Sequence, residues 1–296
     1  MNALEIFNST KDHLDAADSF WSGAQIWRRM DEAQREILRY IIREQPSFYI
    51  ASTNIDFVSG QAEYALPLNA RRGSRIIVAG NNQVSPAATI VDADIRQIFD
   101  AQDSTVINLT QGMRFLLVNG KLRVLPTPGS ATADALTVYY MPSFGNMVYG
   151  TASAGSSSTL TPFTVDANYT TNFGWVDTRD DYYNGMELLL ISGTGAGQYR
   201  TISDYNGTTK VFTVDSDWIT TPGVDTVFSV QSPVPEDNHD AVSMSAALRC
   251  SVKGRTRYRE LHRLYYGYRG QTGVLKELLA WVGQREAFRQ DQVVPA

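Results

Sequence analysis

Apolar residues recur at spacings of four and three along residues 22–45, a period typical of an amphipathic α-helix. Ser22 and Gln25 have the spacing of a capping box, in which side chains satisfy free N–H groups of the first turn. Pro46 ends the helix, because a proline pushes the residue before it out of helical geometry. The stripe that should face a core consists of Ile26, Met30, Ala33, Ile37 and Ile41.

A β-hairpin is predicted directly after this helix, because the apolar period changes from 3.6 to two. The first run carries Ile55 and Phe57, and the second carries Tyr64 and Leu66. Ser59-Gly60 lies between the runs and supplies the predicted turn. The sequence therefore predicts a long helix followed by two paired strands.

Two further helices are predicted in the first half of the chain. Residues 3–16 have a helical pattern that directs Leu4, Phe7 and Leu14 inward. Residues 91–102 also have apolar residues at i, i+3 and i+4, so a short helix is expected there.

A second hairpin is predicted around Asn119-Gly120, the dipeptide most typical of two-residue hairpin turns. Its strands would be residues 115–117 and 121–125. Further strands are expected at 75–79 and 135–141, where β-branched and aromatic residues concentrate.

The composition changes after Pro142. Residues 146–232 are rich in Gly, Ser and Thr and lack helical periodicity, which predicts a small all-β module of five to seven strands. Four of the strands are expected within residues 185–192, 198–205, 210–216 and 226–232.

Helical patterns return after a Pro- and acid-rich start at residues 232–237. Residues 240–254 are rich in Ala and Ser, which allows close helix packing, and residues 275–282 carry another apolar stripe. Between them, residues 255–268 should form a helix with Tyr258, Leu261, Tyr265 and Tyr268 on one face.

These elements predict an α+β fold. Helices from the two ends of the chain should form one bundle with β-hairpins, and a small all-β domain should be inserted between them. The predicted boundaries are 1–142 for the N-terminal helices and hairpins, 143–232 for the inserted module, and 233–296 for the C-terminal helices with a polar tail.

Charge is distributed unevenly along the chain, whose formal net charge is −5. Residues 147–232 hold 3 basic and 9 acidic side chains, whereas residues 233–296 hold 10 basic and 7 acidic ones. No apolar run approaches the roughly 18 residues that a membrane-spanning helix needs, so no membrane contact is expected. The single cysteine, Cys250, excludes an intramolecular disulfide.

The sequence offers little catalytic chemistry, and no enzyme activity, cofactor or metal is predicted. The GTGAG run at 193–197 precedes a strand instead of a helix, so it indicates a β-turn whose glycines supply positive φ. His13, His239 and His262 lack metal-ligand spacing and are expected at the surface or at an interface. Cys250, on a small-residue helix face, is expected to be a packed thiol.

An acidic and aromatic set in the β-rich segment leaves an alternative open. If Asp215 and Asp217 lie in a strand, they share one face and resemble a glycosidase pair or a Ca²⁺ ligand set. Trp175 and Trp218 would then stack on sugars. The plainer interpretation is an acidic strand end with Trp in the module core.

Arginine and tyrosine alternate near the C-terminus, and these residue types are enriched at protein interfaces. The favoured interpretation is contact with an acidic neighbouring protein; a solvated helix face and contact with DNA phosphates are the alternatives. The predicted interface consists of Arg255, Arg257, Tyr258, Arg259, Arg263, Tyr265, Tyr266, Tyr268 and Arg269.

Several passages resemble one protein family, the head-to-tail adaptors of tailed bacteriophages. The matching passages are DEAQREI (31–37), SGQAEYALP (59–67), RRGSRIIVAG (71–80), NGKLRVLPTP (119–128), LTVYYMP (136–142) and PEDNHDAVSMSAALRC (235–250). A β-module of phage tail and neck proteins is also similar to residues 191–230, through Gly195, Gly197, Gln198, Arg200, Trp218 and Pro222.

This resemblance implies a structural virion protein in the neck, assembled in the host cytoplasm. Such proteins form a ring under the portal, here expected to be a dodecamer, which joins the capsid to a tail or nozzle protein. Double-stranded DNA would pass through the lumen during packaging and ejection without sequence-specific binding. The alternatives are a tail-tube or baseplate component, and a glycan-binding virion protein acting through the β-module.

Overall fold

The fold is mixed α+β, as predicted, and it divides into two compact units. One unit is formed by Met1–Phe48 with Phe144–Ala296, and the other by Tyr49–Ser143. The computed structural model describes residues 1–14, 21–45, 48–71, 76–80, 88–90, 114–118, 120–125, 127–162, 172–251 and 256–290.

The first unit contains five helices among the described residues: α1 (Ala3–Asp12), α2 (Gly23–Glu44), α3 (His239–Cys250), α4 (Thr256–Tyr266) and α5 (Val274–Gln290). The apolar stripe of α2 is buried along its whole length, which confirms the prediction. Ser22 and Gln25 form the predicted capping box at its start.

Helix α1 also begins with a capping box, made by Asn2 and Glu5. Its inward face differs from the prediction, because Ala3, Ile6 and Phe7 are buried whereas Leu4 and Leu14 are only half-buried. The helix is rotated so that the Phe7 ring packs between aromatic neighbours, with centroids 5.6 Å from Trp27 and 5.2 Å from Phe173.

Helix α3 is the centre of the helical layer and packs against α1, α2, α4 and α5. Its small residues are buried around most of the helix, which is how a helix surrounded by others avoids steric conflict. Arg249 at its end forms ion pairs with Glu32 and Glu36 of α2. These contacts join the two ends of the chain in one helical layer.

The described residues of the second unit form two antiparallel sheets. Its strands are β1 (Ala51–Phe57), β2 (Glu63–Ala65), β3 (Ile76–Gly80), β4 (Ala88–Ile90), β5 (Arg114–Val118), β6 (Lys121–Leu125) and β7 (Thr132–Tyr140). The sheet orders are β1-β7-β3-β4 and β2-β6-β5. The hairpin predicted at Asn119-Gly120 is confirmed, since Val118 pairs with Lys121. The helix predicted over 91–102 lies outside the described residues.

The first predicted hairpin is wrong, although its turn at Ser59-Gly60 exists. Strand β1 pairs with β7, from Ala51↔Tyr140 to Phe57↔Thr132, and β2 pairs with β6 in the other sheet. The amide of Gly60 donates to the Pro128 carbonyl oxygen at 2.9 Å, so this turn contacts the segment that precedes β7. A long partner strand from later in the chain has displaced the local pairing.

A seven-stranded antiparallel sheet completes the first unit, in the order β8-β14-β11-β12-β13-β10-β9. Its strands are β8 (Val148–Thr151), β9 (Ala154–Gly155), β10 (Thr159–Thr161), β11 (Glu187–Ser192), β12 (Tyr199–Asn206), β13 (Val211–Val214) and β14 (Val227–Val230). The last four confirm the strands expected within residues 185–192, 198–205, 210–216 and 226–232. The sheet has its own core, whose largest members are the buried rings of Tyr183, Tyr205, Phe212 and Phe228. The domain boundaries proposed from the sequence stay a prediction.

Candidate assembly surface on the C-terminal helices

Helix α4 carries most of the Arg and Tyr residues predicted to form an interface. Leu261 and Tyr265 are fully buried and fix the inward face of the helix. Tyr265 is therefore part of the core, and burial raises the pKa of its hydroxyl. Arg255 lies outside the described residues.

Arg257 joins α4 to the end of α1. Its Nε donates to the His13 carbonyl oxygen at 2.8 Å, and its guanidinium forms an ion pair with Glu260 at 3.5 Å. Because both contacts are internal, Arg257 positions the helix and offers little of its charge to a partner.

An aromatic ladder follows the helix axis at i, i+4 and i+8. The ring centroid of His262 lies 5.9 Å from that of Tyr258 and 4.8 Å from that of Tyr266. Tyr266 remains 37% exposed. His262 was missing from the predicted interface, although the spacing of four from each tyrosine was visible in the sequence.

Tyr268 lies just after α4 and is 44% exposed. The guanidinium carbons of Arg263 and Arg269 lie 4.7 and 5.1 Å from its ring centroid, within the range of cation–π contacts. Gly267 and Gly270 adopt positive φ angles of 86° and 90° in this turn, a conformation that glycine adopts without steric cost. The turn thereby holds Tyr268 beside both arginines.

The predicted group thus separates into buried and exposed members. Arg259 and Arg263, one helical turn apart, are exposed, and neither has an acidic partner within 4 Å among the residues that the structure describes. We define the α4 surface as Tyr258, Arg259, His262, Arg263, Tyr266, Tyr268 and Arg269. It combines three cations with aromatic rings, a composition found at interface hot spots.

The turn at 193–197 is a β-turn region, as predicted, because Gly193, Gly195 and Gly197 have positive φ. Gln198 then connects this turn to another loop. Its Nε2 donates to the carbonyl oxygens of Gly195 and Thr220, both at 2.9 Å, and its Oε1 accepts from the Ile219 amide at 2.7 Å.

Arg200 strengthens the same connection. Its guanidinium donates to the Asp217 carbonyl oxygen at 3.0 Å and lies 5.7 Å from the Trp218 ring centroid. Gln198, Arg200 and Trp218 of the phage-type pattern therefore hold two loops of the sheet together. They share this role because the glycine turn and the loop at 217–220 lie side by side, and the sequence does not show that the two are neighbours.

The possible carboxylate pair is not presented by a strand. Strand β13 ends at Val214, so Asp215 and Asp217 lie in an irregular bend and the argument that they share a strand face is wrong. Trp218 is 5% exposed and belongs to the sheet core, which leaves its ring unavailable for stacking on a sugar.

The remaining candidate ligands are dispersed. His239 is buried, contrary to the prediction, because its ring nitrogens lie 2.8 Å from the carbonyl oxygens of Met1 and Val234. Cys250 is a buried thiol, as predicted. Across the described ranges, no three His, Cys, Asp or Glu side chains cluster as metal ligands, and no helix is long and apolar enough to cross a bilayer.

Comparison with known proteins adds one result. No curated protein and no solved structure matches the chain. A family model described as SU10 adaptor protein matches residues 1–152, a range that covers α1, α2, β8 and the described strands β1 to β7 of the second unit. The chain therefore belongs to the SU10 adaptor protein family and is a structural adaptor protein of a bacteriophage virion.

Proposed function

We propose that this adaptor lies in the neck of the virion, where a ring of copies docks under the portal and joins the capsid to a tail or nozzle protein. A dodecamer would match the usual symmetry of the portal, and genomic DNA would pass through the lumen without base-specific contacts. The observation that carries this proposal, beyond family membership, is the exposed α4 surface.

The composition of the α4 surface favours a protein partner over water or DNA. A purely solvated face has no need for rings at three successive helical turns, yet Tyr258, His262 and Tyr266 form a row of tilted ring contacts there. DNA binding takes much of its affinity from phosphates neutralised by Lys and Arg, and a strong binder neutralises several of them. The α4 surface has three arginines, and the whole chain has a net charge of −5. Both values are low for a DNA-binding surface.

An acidic protein partner satisfies both features of the surface. Carboxylates can pair with Arg259 and Arg263, while apolar side chains cover the rings of Tyr266 and Tyr268. Repetition around a ring strengthens contacts that are individually weak. Once one copy of the ring has bound its partner, the remaining contacts form within the same complex.

Other parts of the chain have proposed roles that follow from the ring. The segment 143–232 would be the inserted module, decorating the ring or meeting tail proteins. The terminal segment 284–296 would reach into the portal or a neighbouring copy. Side chains lining the lumen would be acidic or neutral, so that DNA slides through it; rings of Lys or Arg there would contradict this expectation.

The test is to mix the purified full chain with the portal protein of the same phage and image the complexes by negative-stain electron microscopy. We expect a two-tier ring in which both tiers share one symmetry. Portal rings without a second tier, at protein concentrations where the chain is folded and in excess, would contradict the proposal.

Variants of the α4 surface sharpen this test. Arg259→Glu combined with Arg263→Glu should prevent formation of the second tier, because both cations face an acidic partner. Arg28→Glu combined with Arg39→Glu is the matched control, since both are exposed arginines on α2 outside the α4 surface. If the double variant builds the second tier as well as the control does, the α4 surface is not part of the assembly.

A further inference from the structure

Three large apolar side chains are exposed around the turn and loop of the seven-stranded sheet that Gln198 connects. Ile219 is 86% exposed, Val224 71% and Tyr199 64%. Strand β14 runs from this loop towards α3, so the loop lies at the end of the sheet away from the helices. All three lie within one hydrogen-bonded turn and loop, and exposed apolar groups gathered in one region are candidates for a contact surface.

The loop that presents these side chains is held in one conformation by a network of hydrogen bonds. At one end, Gln198 binds the backbone of Ile219 and Thr220, as described above. At the other end, the Asp225 carboxylate accepts from the Thr194 amide at 2.9 Å and from the Thr194 hydroxyl at 3.0 Å. Because the loop is already ordered, a partner pays little conformational entropy to bind it.

Close packing at the base of the loop also holds the loop in one conformation. A Cβ atom added to Gly155 would clash with the carbonyl oxygen of Pro222, so the loop rests directly on the backbone of β9. The Thr226 hydroxyl donates to the Thr194 carbonyl oxygen at 2.6 Å and joins the loop to the glycine turn. The ordered loop therefore holds Ile219 and Val224 in exposed positions.

Carboxylates outnumber cations around these apolar groups, where Arg200 is the neighbouring cation. Asp215 and Asp217 are exposed beside Ile219, and neither forms an ion pair within the part of the chain that the structure describes. The segment around them, residues 147–232, carries only 3 basic against 9 acidic side chains. We define the distal patch as Tyr199, Asp215, Asp217, Ile219 and Val224.

We propose that the distal patch of one copy docks on the α4 surface of a second copy. This inference rests on the proposed ring and names the acidic partner of the α4 surface as the next protomer. The match is chemical: Asp215 and Asp217 meet Arg259 and Arg263, while Ile219 and Val224 cover the rings of Tyr266 and Tyr268. Both surfaces belong to the same compact unit.

The two surfaces are different parts of the chain, so the contact is head-to-tail. Such a contact leaves one free distal patch and one free α4 surface on every dimer, so copies add at both ends and form a closed ring when the rotation between neighbours permits closure. Each protomer in a closed ring then uses both surfaces once.

Charge reversal tests the pairing in the full chain. Asp215→Arg with Asp217→Arg places four arginines at each contact, and Arg259→Asp with Arg263→Asp places four carboxylates there. Each double variant should self-associate about tenfold more weakly than the wild type, or worse, in sedimentation experiments with and without portal. The quadruple variant restores opposite charges at every contact and should recover association.

Two single variants test whether reversing a charge elsewhere on the surface has the same effect. Glu187→Arg alters an exposed acid at the opposite end of β11, and Arg28→Asp alters an exposed arginine on α2. Both should associate like the wild type. Circular dichroism and thermal unfolding of every variant establish that a loss of association is not a loss of fold.

The outcomes separate this inference from the proposed function. Double variants that associate like the wild type, or a quadruple variant as impaired as the doubles, overturn the pairing. A wild type that binds portal only as isolated copies also overturns it and leaves the adaptor role in place. A wild type that self-associates through these charges but ignores portal supports the pairing and contradicts the portal-docked ring.

Discussion

The carboxylate of Asp31 in α2 accepts a hydrogen bond from the backbone amide of Met147 at 3.2 Å. Two neighbours on the same helix bind the same extended segment: Trp27 Nε1 donates to the Met147 carbonyl oxygen at 3.1 Å, and Gln34 Nε2 donates to that of Gly145 at 2.9 Å. Helix α2 thus satisfies backbone groups that would otherwise be buried without partners, just before the chain enters β8.

Asp31 should make the stability of the protein depend on pH. Its side chain is 1% exposed, and burial raises its pKa to about 7 against the partial opposition of Arg35. Since the folded state holds the proton more tightly than the unfolded state, this contribution to stability is complete below about pH 4 and is lost as the pH rises towards 7. The slope should approach about 1.4 kcal/mol per pH unit.

The variant Asp31→Asn should remove this slope and keep the hydrogen bond from Met147, because an amide oxygen also accepts. Urea unfolding at several values between pH 4.5 and pH 7.5 provides the measurement. Asp12→Asn, at the exposed end of α1, is the control and should retain the wild-type slope. If Asp31→Asn keeps the wild-type slope, the titration belongs to another group.

Asp181→Asn should stabilise the protein at neutral pH. Burial and a hydrogen bond with the Asp204 carboxyl raise the pKa of Asp181, so its carboxylate is unfavourable at pH 7 and the stability it contributes is lost as pH rises from about 4. An amide can donate to Asp204 and still accept from Asn184 Nδ2, and asparagine tolerates the φ of 59° at this position.

The expected gain for Asp181→Asn is modest, about 0.5–1 kcal/mol, because the site is partly solvated. Thermal unfolding at pH 7 and pH 4 measures it, and the gain should vanish at the lower pH. Asp180→Asn removes the same charge one residue earlier and can keep the bond from the Gly207 amide. Equal gains for the two variants would point to net charge as the cause.

Gln198→Ala should loosen one loop of the sheet while leaving the fold intact. The substitution removes the hydrogen bonds that tie the glycine turn to Ile219 and Thr220. Hydrogen exchange followed by mass spectrometry should show faster exchange in residues 215–226 and unchanged exchange in α3. Gln231→Ala serves as the control, because Gln231 is a glutamine at the other end of the sheet. Unchanged exchange in the loop would show that other contacts hold it.

Local sequence signals predicted the elements whose contacts are local. The stripe of α2 repeats over several turns, and the Asn119-Gly120 dipeptide specifies its own hairpin, so both were correct. The pairing of β1 was wrong because its partner, β7, lies about eighty residues later. A period of two identifies a strand and says nothing about which strand it joins.

The candidate site shows the same limit. Residue type pointed to Arg and Tyr on α4, but the buried face of the helix decides which of them a partner can reach. Tyr265 and Arg257 are used internally, whereas His262 completes the exposed ladder. The distal patch was not predicted at all, because the exposure of Ile219 depends on a loop fixed by Gln198 from another part of the chain.

Adjacent tyrosines on α4 should separate stability from assembly. Tyr265→Ala empties a fully buried site against α3 and should lower the free energy of unfolding by about 3–5 kcal/mol. Tyr266→Ala removes a ring that is 37% exposed and should cost about 1 kcal/mol or less. Urea unfolding of the free chain measures both values.

Assembly should respond in the opposite order. Folded Tyr266→Ala should lose most of its self-association or portal-dependent ring formation, because its ring is an anchor of the α4 surface. Leu264→Ala is the matched control, since Leu264 is exposed on the same helix but outside that surface. If Leu264→Ala impairs assembly and Tyr266→Ala does not, the partner contacts a different face of α4, and the arginines at 259 and 263 would then be solvated charges.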